Sequence, residues 1–192
     1  MNKKFFKLNF NKINSLINEV DIKFLEQFCQ LILKTSKNKK KIIIAGNGGS
    51  AATASHVAVD LTLNSKIRAI NFNESDLITC FANDFGYKNW LRKSLELYAD
   101  TGDLLILISC SGESPNLVKA NDYALKNNIN VVSLTGCKKN NSLNKKKNNL
   151  KLWIQSNEYN HIEILHHTVL LSIVDKLIKI KNKNEIKTTK PN

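Results

Sequence analysis

Five short β-branched or leucine-rich runs constrain this chain more than any other feature: KIIIAG (41–46), KIRAINF (66–72), DLLILIS (103–109), INVVSLTG (129–136) and LKLWIQS (150–156). None shows the clean polar alternation of a half-solvated strand, so they read as strands buried on both faces of a parallel sheet. Parallel neighbours need crossover connections. The intervening segments supply them as helices, expected over 50–63, 75–83, 88–99, 114–127 and 161–180. Ahead of the first strand, Ile13, Leu16, Ile17, Val20, Phe24, Leu25, Phe28 and Ile32 recur at three- and four-residue spacing. That periodicity predicts one bent or two consecutive amphipathic helices over 10–35. The expected fold class is α/β, a doubly wound five-stranded parallel sheet with an N-terminal helical segment. Ligands of such sheets sit beyond the carboxyl ends of the strands, where strand order reverses.

Length and composition narrow the class of protein. With 192 residues, 42% of them hydrophobic, the chain can bury one sizeable core. The expected organisation is a single domain over 1–192, with a core of about 10–180 and a basic tail at 181–192. No uncharged apolar run of about 18 residues occurs, and the N-terminal residues lack a signal-peptide pattern. A membrane partner is therefore not expected, and the cytoplasm is the expected compartment. Cys29, Cys80, Cys110 and Cys137 are widely spaced and read as free thiols. The net charge of +13 is mostly Lys scattered among Asn and Ile. Its densest run, KKNNSLNKKKNN (138–149), has no interleaved aromatics to stack bases, so the expectation is solvated surface and no nucleic acid.

Two strand-to-helix loops ask for an anion. GNGGSAA (46–52) follows the first strand, and its glycines allow positive φ and close backbone approach beside a helix N-terminus. SCSGESPN (109–116) follows the third strand with hydroxyls at Ser109, Ser111 and Ser114, and Pro115 suits a first helical turn. Neither loop carries a P-loop lysine, so a phosphate monoester is a better match than a triphosphate. On the first helix after the sheet begins, His56 and Asp60 are one turn apart and share a face.

At these residues a family resemblance enters. GNGGSAATASHVAVDL, ANDFGY, DLLILISCSGESPNLVKANDYA and VVSLTG, in this order, resemble the sugar isomerase (SIS) domain, and within it the phosphoheptose isomerase branch. The resemblance runs from about residue 10 to about residue 180. It implies a flavodoxin-like sheet, a homotetramer with active sites at subunit contacts, and interconversion of sedoheptulose 7-phosphate with D-glycero-D-manno-heptose 7-phosphate in a lipopolysaccharide or capsule pathway. It further implies that Ser109, Ser111 and Ser114 meet the phosphate and that Cys110 contacts substrate. Asn47, Gly48, Gly49, Ser50, Asn83, Asp84 and Glu163 would contact substrate. Relatives that keep the fold without isomerase chemistry define an alternative, a phosphosugar-binding regulator.

The chain departs from the family pattern at several of these positions. Cys110 stands where Thr is usual, and Glu113 replaces Asn, bringing a negative charge near a phosphate. Asp60 replaces a Glu that serves as zinc ligand and acid/base group, retracting the carboxylate by about one methylene. In HIEILHHTVLLSIVDKLI, Glu163 falls at a usual Gln ligand and Leu171 at the position of the catalytic, metal-binding His. Glu163, His167 and Leu171 lie at i, i+4 and i+8, so His167 precedes the lost histidine by about 5.4 Å along the helix. That helix spacing offers a relocated site as the expectation, with Asp60 and His167 catalytic and with His56, Asp60, Glu163 and His167 as a ligand set that would suit Zn²⁺. His166 is expected to pack within the helix bundle and His161 to face solvent near the helix start.

Overall fold

The computed structural model describes residues 3–188. Two helices lead, α1 (Lys3–Asn18) and α2 (Ile22–Lys37). They separate where the Asp21 carboxylate caps α2 by accepting from the Lys23 amide at 2.9 Å. Then come β1 (Ile42–Gly46), α3 (Gly49–Leu63), β2 (Ala69–Ile70), α4 (Ser75–Phe85), α5 (Trp90–Tyr98), β3 (Leu104–Ser109), α6 (Pro115–Lys126), β4 (Asn130–Thr135), β5 (Leu150–Trp153) and α7 (Tyr159–Thr188). The last helix runs on through the basic segment expected as a tail, of which 189–192 lie outside the described residues.

The five strands form one all-parallel sheet in the order β2-β1-β3-β4-β5. Alternate residues of each strand feed opposite layers, as strand geometry requires. Ile42, Ile44, Leu104, Ile106 and Ile108 pack with Phe28, Ile32, Val57, Leu61 and the apolar stripe of α7. Ile43, Ala45, Leu105 and Leu107 pack instead with Trp90, Leu91, Leu95, Leu117 and Ala120 of α5 and α6. Helices therefore cover both faces, which is why the central runs carry no polar alternation.

β2 is the exception. The run 66–72 pairs as a ladder only at Ala69 and Ile70, both half-buried, because it is an edge strand with β1 as its single neighbour. Its apolar side chains Ile67 and Phe72 are buried from either end of a strand of only two residues. Order reverses between β1 and β3, which lie side by side in the middle of the sheet. The loops after these two strands consequently open at the switch point.

Candidate active site

Glycine lets three elements converge in the loop after β1. A Cβ on Gly46 would come within 2.7 Å of the Ser50 backbone, so its absence lets α3 turn back tightly onto the strand. Gly48 takes a φ of +54° at the helix N-cap. At Gly49 a Cβ would lie 2.5 Å from the Glu163 carboxylate, so this glycine admits Glu163 from α7. Asn47 is held in place. Its amide exchanges hydrogen bonds with the buried Asn116 at 3.1 and 2.9 Å, and its Oδ1 also accepts from the Tyr87 hydroxyl at 3.1 Å.

Ser109, Ser111 and Ser114 line a small pocket of about 140 Å³, together with Asn47, Ser50, Cys110, Tyr159 and Glu163. The Ser109 hydroxyl accepts from the Gly112 amide at 3.1 Å, and the Ser111 hydroxyl from the Glu113 amide at 3.2 Å. A hydroxyl that accepts in this way still has its own proton to donate. Ser114 occupies the N-cap of α6 but makes no side-chain capping bond, so its hydroxyl also belongs to the pocket. The arrangement is a cup of donors against the N-termini of two helices, suited to a compact anion. Burial, and then the neighbouring Glu163 carboxylate, push the Cys110 thiol up to about 12, so it is a protonated, weak donor at neutral pH.

A second cleft, of about 510 Å³, lies along the contact of α3 with α7 and is lined by Gly49, Thr53, His56, Glu163, Ile164 and His167. Glu163 belongs to the walls of both pockets. Four side chains here form one line. Asp60 Oδ2 lies 3.3 Å from His56 Nε2, His56 Nδ1 lies 3.1 Å from His167 Nε2, and His167 Nδ1 lies 3.3 Å from the Thr53 hydroxyl. Donor and acceptor counting assigns the tautomers. With the Asp60 carboxylate accepting from His56 Nε2–H, His56 Nδ1 must accept from His167 Nε2–H, and His167 Nδ1 is left with a lone pair that receives the Thr53 O–H. Such a line can take up a proton at one end and spread the resulting charge toward the carboxylate at the other.

The zinc expectation meets this geometry directly. Among the described residues no three His, Cys, Asp or Glu side chains are gathered to hold a metal ion. The facing nitrogens of His56 and His167 are spent on each other. As arranged, His56, Asp60, Glu163 and His167 do not fit Zn²⁺. Leu171 packs against the hydrophobic core, so nothing polar stands where the family pattern expects a histidine.

Asn83 and Asp84 are exposed on α4, hydrogen-bonded to each other at 2.9 Å, and line neither cleft of this chain. Glu113 does not face the pocket: both carboxylate oxygens accept from Ser142. His161 is buried and bonds Asn9 of α1 at 2.7 Å, contrary to the solvent role expected of it, because α1 folds over the start of α7. His166 packs inside, as expected. Thr53, Asn116, Tyr87 and Tyr159 escaped sequence reasoning as site residues. Thr53 alone had a local signal, lying one turn before His56 on the same helix face.

Comparison with known proteins agrees with the fold. The SIS domain family model matches residues 6–136. A phosphoheptose isomerase of Buchnera aphidicola subsp. Acyrthosiphon pisum is 32% identical over 194 residues, covering 92% of this chain and 97% of the relative. One from Campylobacter concisus is 38% identical over 118 residues, and there the match spans 58% of this chain and 62% of the relative. Among solved structures, a phosphoheptose isomerase from Neisseria gonorrhoeae shares the fold with a TM-score of 0.85 at 24% identity, covering 92% of this chain and 98% of that one. A Francisella tularensis phosphoheptose isomerase does so with a TM-score of 0.85 at 21% identity, covering 93% and 98%. The chain belongs to the SIS domain family.

Proposed function

We propose that this chain is a sugar phosphate isomerase of the aldose–ketose type, acting on sedoheptulose 7-phosphate to form D-glycero-D-manno-heptose 7-phosphate through an enediol. The observation that carries the reading is the hydrogen-bonded line Asp60–His56–His167, set beside a serine-lined anion pocket with Glu163 common to both walls. Full-length similarity to relatives named phosphoheptose isomerase supports the same substrate.

In this reading the Ser109, Ser111 and Ser114 hydroxyls hold the phosphate, and the sugar extends past Glu163 into the larger cleft. From Ser50 in one pocket to His56 in the other is six residues of helix, about 9 Å. That is on the order of the reach from phosphate to the first carbons of an extended sugar. His167 Nδ1, held by the long bond to Thr53, takes the proton from carbon 1 as the C–H bond breaks, and the electron pair moves into the enediolate with its charge on the former carbonyl oxygen. His56 and Asp60 stabilise the imidazolium, whose proton exchanges with solvent; a proton passes from the neighbouring hydroxyl to the enediolate oxygen, and the imidazolium protonates carbon 2 as the carbonyl forms at carbon 1. Asn83 and Asp84, exposed on α4, are proposed to reach the site of a neighbouring subunit in a homotetramer. α4 buries no residue within its own chain, which leaves it available for that contact. The cytoplasm is the proposed compartment, in keeping with four free thiols; no helix among the described residues is long and apolar enough to cross a membrane.

The test is to incubate the purified protein with sedoheptulose 7-phosphate, with and without Zn²⁺ or a chelator, and follow aldose formation by NMR. Turnover lost in both His167→Ala and Asp60→Ala supports the assignment. A wild type that is stabilised by the sugar phosphate but never turns it over refutes it and leaves a phosphosugar-binding regulator.

A further inference from the structure

The Lys/Asn-rich segment 138–149 reads from sequence as solvated surface, yet it grips the serine loop at two adjacent residues. Leu143 donates its amide to the Gly112 carbonyl at 3.1 Å, and the Ser142 amide donates to Glu113 Oε1 at 3.0 Å while the Ser142 hydroxyl bonds the other carboxylate oxygen. Asn141 is fully buried against Gly112, so closely that a Cβ there would overlap its amide. The segment is itself anchored. Leu143 is buried in the core layer of α5 and α6, Asn141 accepts from the Asn144 amide at 2.9 Å, and Asn144 in turn receives the Thr135 hydroxyl of β4 at 3.1 Å.

The two residues gripped are the two whose amides orient the pocket. Gly112 N–H fixes the Ser109 hydroxyl and Glu113 N–H fixes the Ser111 hydroxyl. Gly112 sits at φ +67°, a hinge with few alternatives for any other residue and many for glycine once released. We infer that segment 138–149 is a clasp on the phosphate loop and that Glu113 is its latch, a positioning residue acting through the Ser111 and Ser109 hydroxyls. The inference rests on the phosphate role given to those serines above. It also accounts for a glutamate beside an anion pocket, since its charge is turned onto Ser142 and faces Lys138 and Lys145 rather than the ligand.

The experiment compares wild type with Glu113→Ala, Ser142→Ala and Glu113→Gln, the last keeping an acceptor for the Ser142 amide. Amide hydrogen exchange over 111–114 should quicken in the two alanine variants. Calorimetric Kd for sedoheptulose 7-phosphate and for inorganic phosphate should weaken about tenfold, roughly the effect of losing one charge-assisted hydrogen bond. Binding of unphosphorylated sedoheptulose should not change, KM should rise about tenfold with kcat within about twofold, and Glu113→Gln should recover most of the loss. Quickened exchange with unchanged phosphate affinity overturns the positioning role, as does exchange that does not quicken. A wild type that binds neither phosphate probe overturns the phosphate reading itself, and with it the role of the latch.

Discussion

His166 offers a prediction whose magnitude follows from its surroundings. It lies on α7 beside His167, fully buried, with Nε2 donating to the Thr135 carbonyl at the end of β4 at 3.2 Å and Nδ1 without a partner among the described residues. Burial, opposed only by that carbonyl, holds its pKa down to about 4, against an ordinary value of 6.5. The folded state therefore keeps the ring neutral while the unfolded chain takes up a proton below about pH 6.5. Stability is fully present above the unfolded value and falls as pH drops toward the folded one. At about 1.36 kcal/mol per unit, the loss between neutrality and about pH 5 comes to about 2 kcal/mol. Urea unfolding at about pH 7.5 and about pH 5, for wild type and His166→Gln, measures it. Gln keeps a donor for Thr135 but does not titrate, and carboxylate effects common to both proteins cancel in the difference. Wild type should lose about 2 kcal/mol more than the variant over that interval. Equal losses would refute the account of a neutral histidine trapped by burial.

Gly49→Ala should change thermal stability little, because the group its methyl meets is the far end of the flexible Glu163 side chain, yet activity should fall at least tenfold as that carboxylate is pushed from the shared wall. Steady-state kinetics beside a melting curve separates the two. Thr53→Val removes the hydroxyl that faces His167 Nδ1 while keeping the side-chain volume; it should cost about 1 kcal/mol of stability and shift the pH dependence of kcat, read from a pH–rate profile.

The sheet was legible because its strands are buried on both faces: 41–46, 103–109 and 129–136 have no solvent side to interrupt their apolar content. The same cue overstated 66–72, where apolar side chains flank a two-residue edge strand. The serine and glycine loops were legible too, since their chemistry is local to a strand end. The resemblance brought His56 and His167 into one expected ligand set, but not the hydrogen bond between their rings, which arises where α3 packs on α7, 111 positions apart in sequence. Helix spacing marked His167 as the neighbour of the missing histidine at Leu171. It could not reveal that one of its nitrogens would be occupied by another histidine. Glu113 was misjudged for the same reason: its partner, Ser142, comes from a segment whose composition gives no sign of order.

In the proposed mechanism Asp60, His56 and His167 supply the proton-transferring line in place of a histidine at Leu171. Its most direct measurement is solvent exchange: incubate the protein with sedoheptulose 7-phosphate in heavy water, recover the ketose, and look for deuterium on carbon 1 by NMR. Wild type should exchange the carbon 1 proton, even if net conversion is slow, and His167→Gln should abolish that exchange. A wild type that binds the sugar phosphate but leaves carbon 1 fully protonated, or a His167→Gln variant that exchanges it just as fast, would rule out His167 as the proton acceptor.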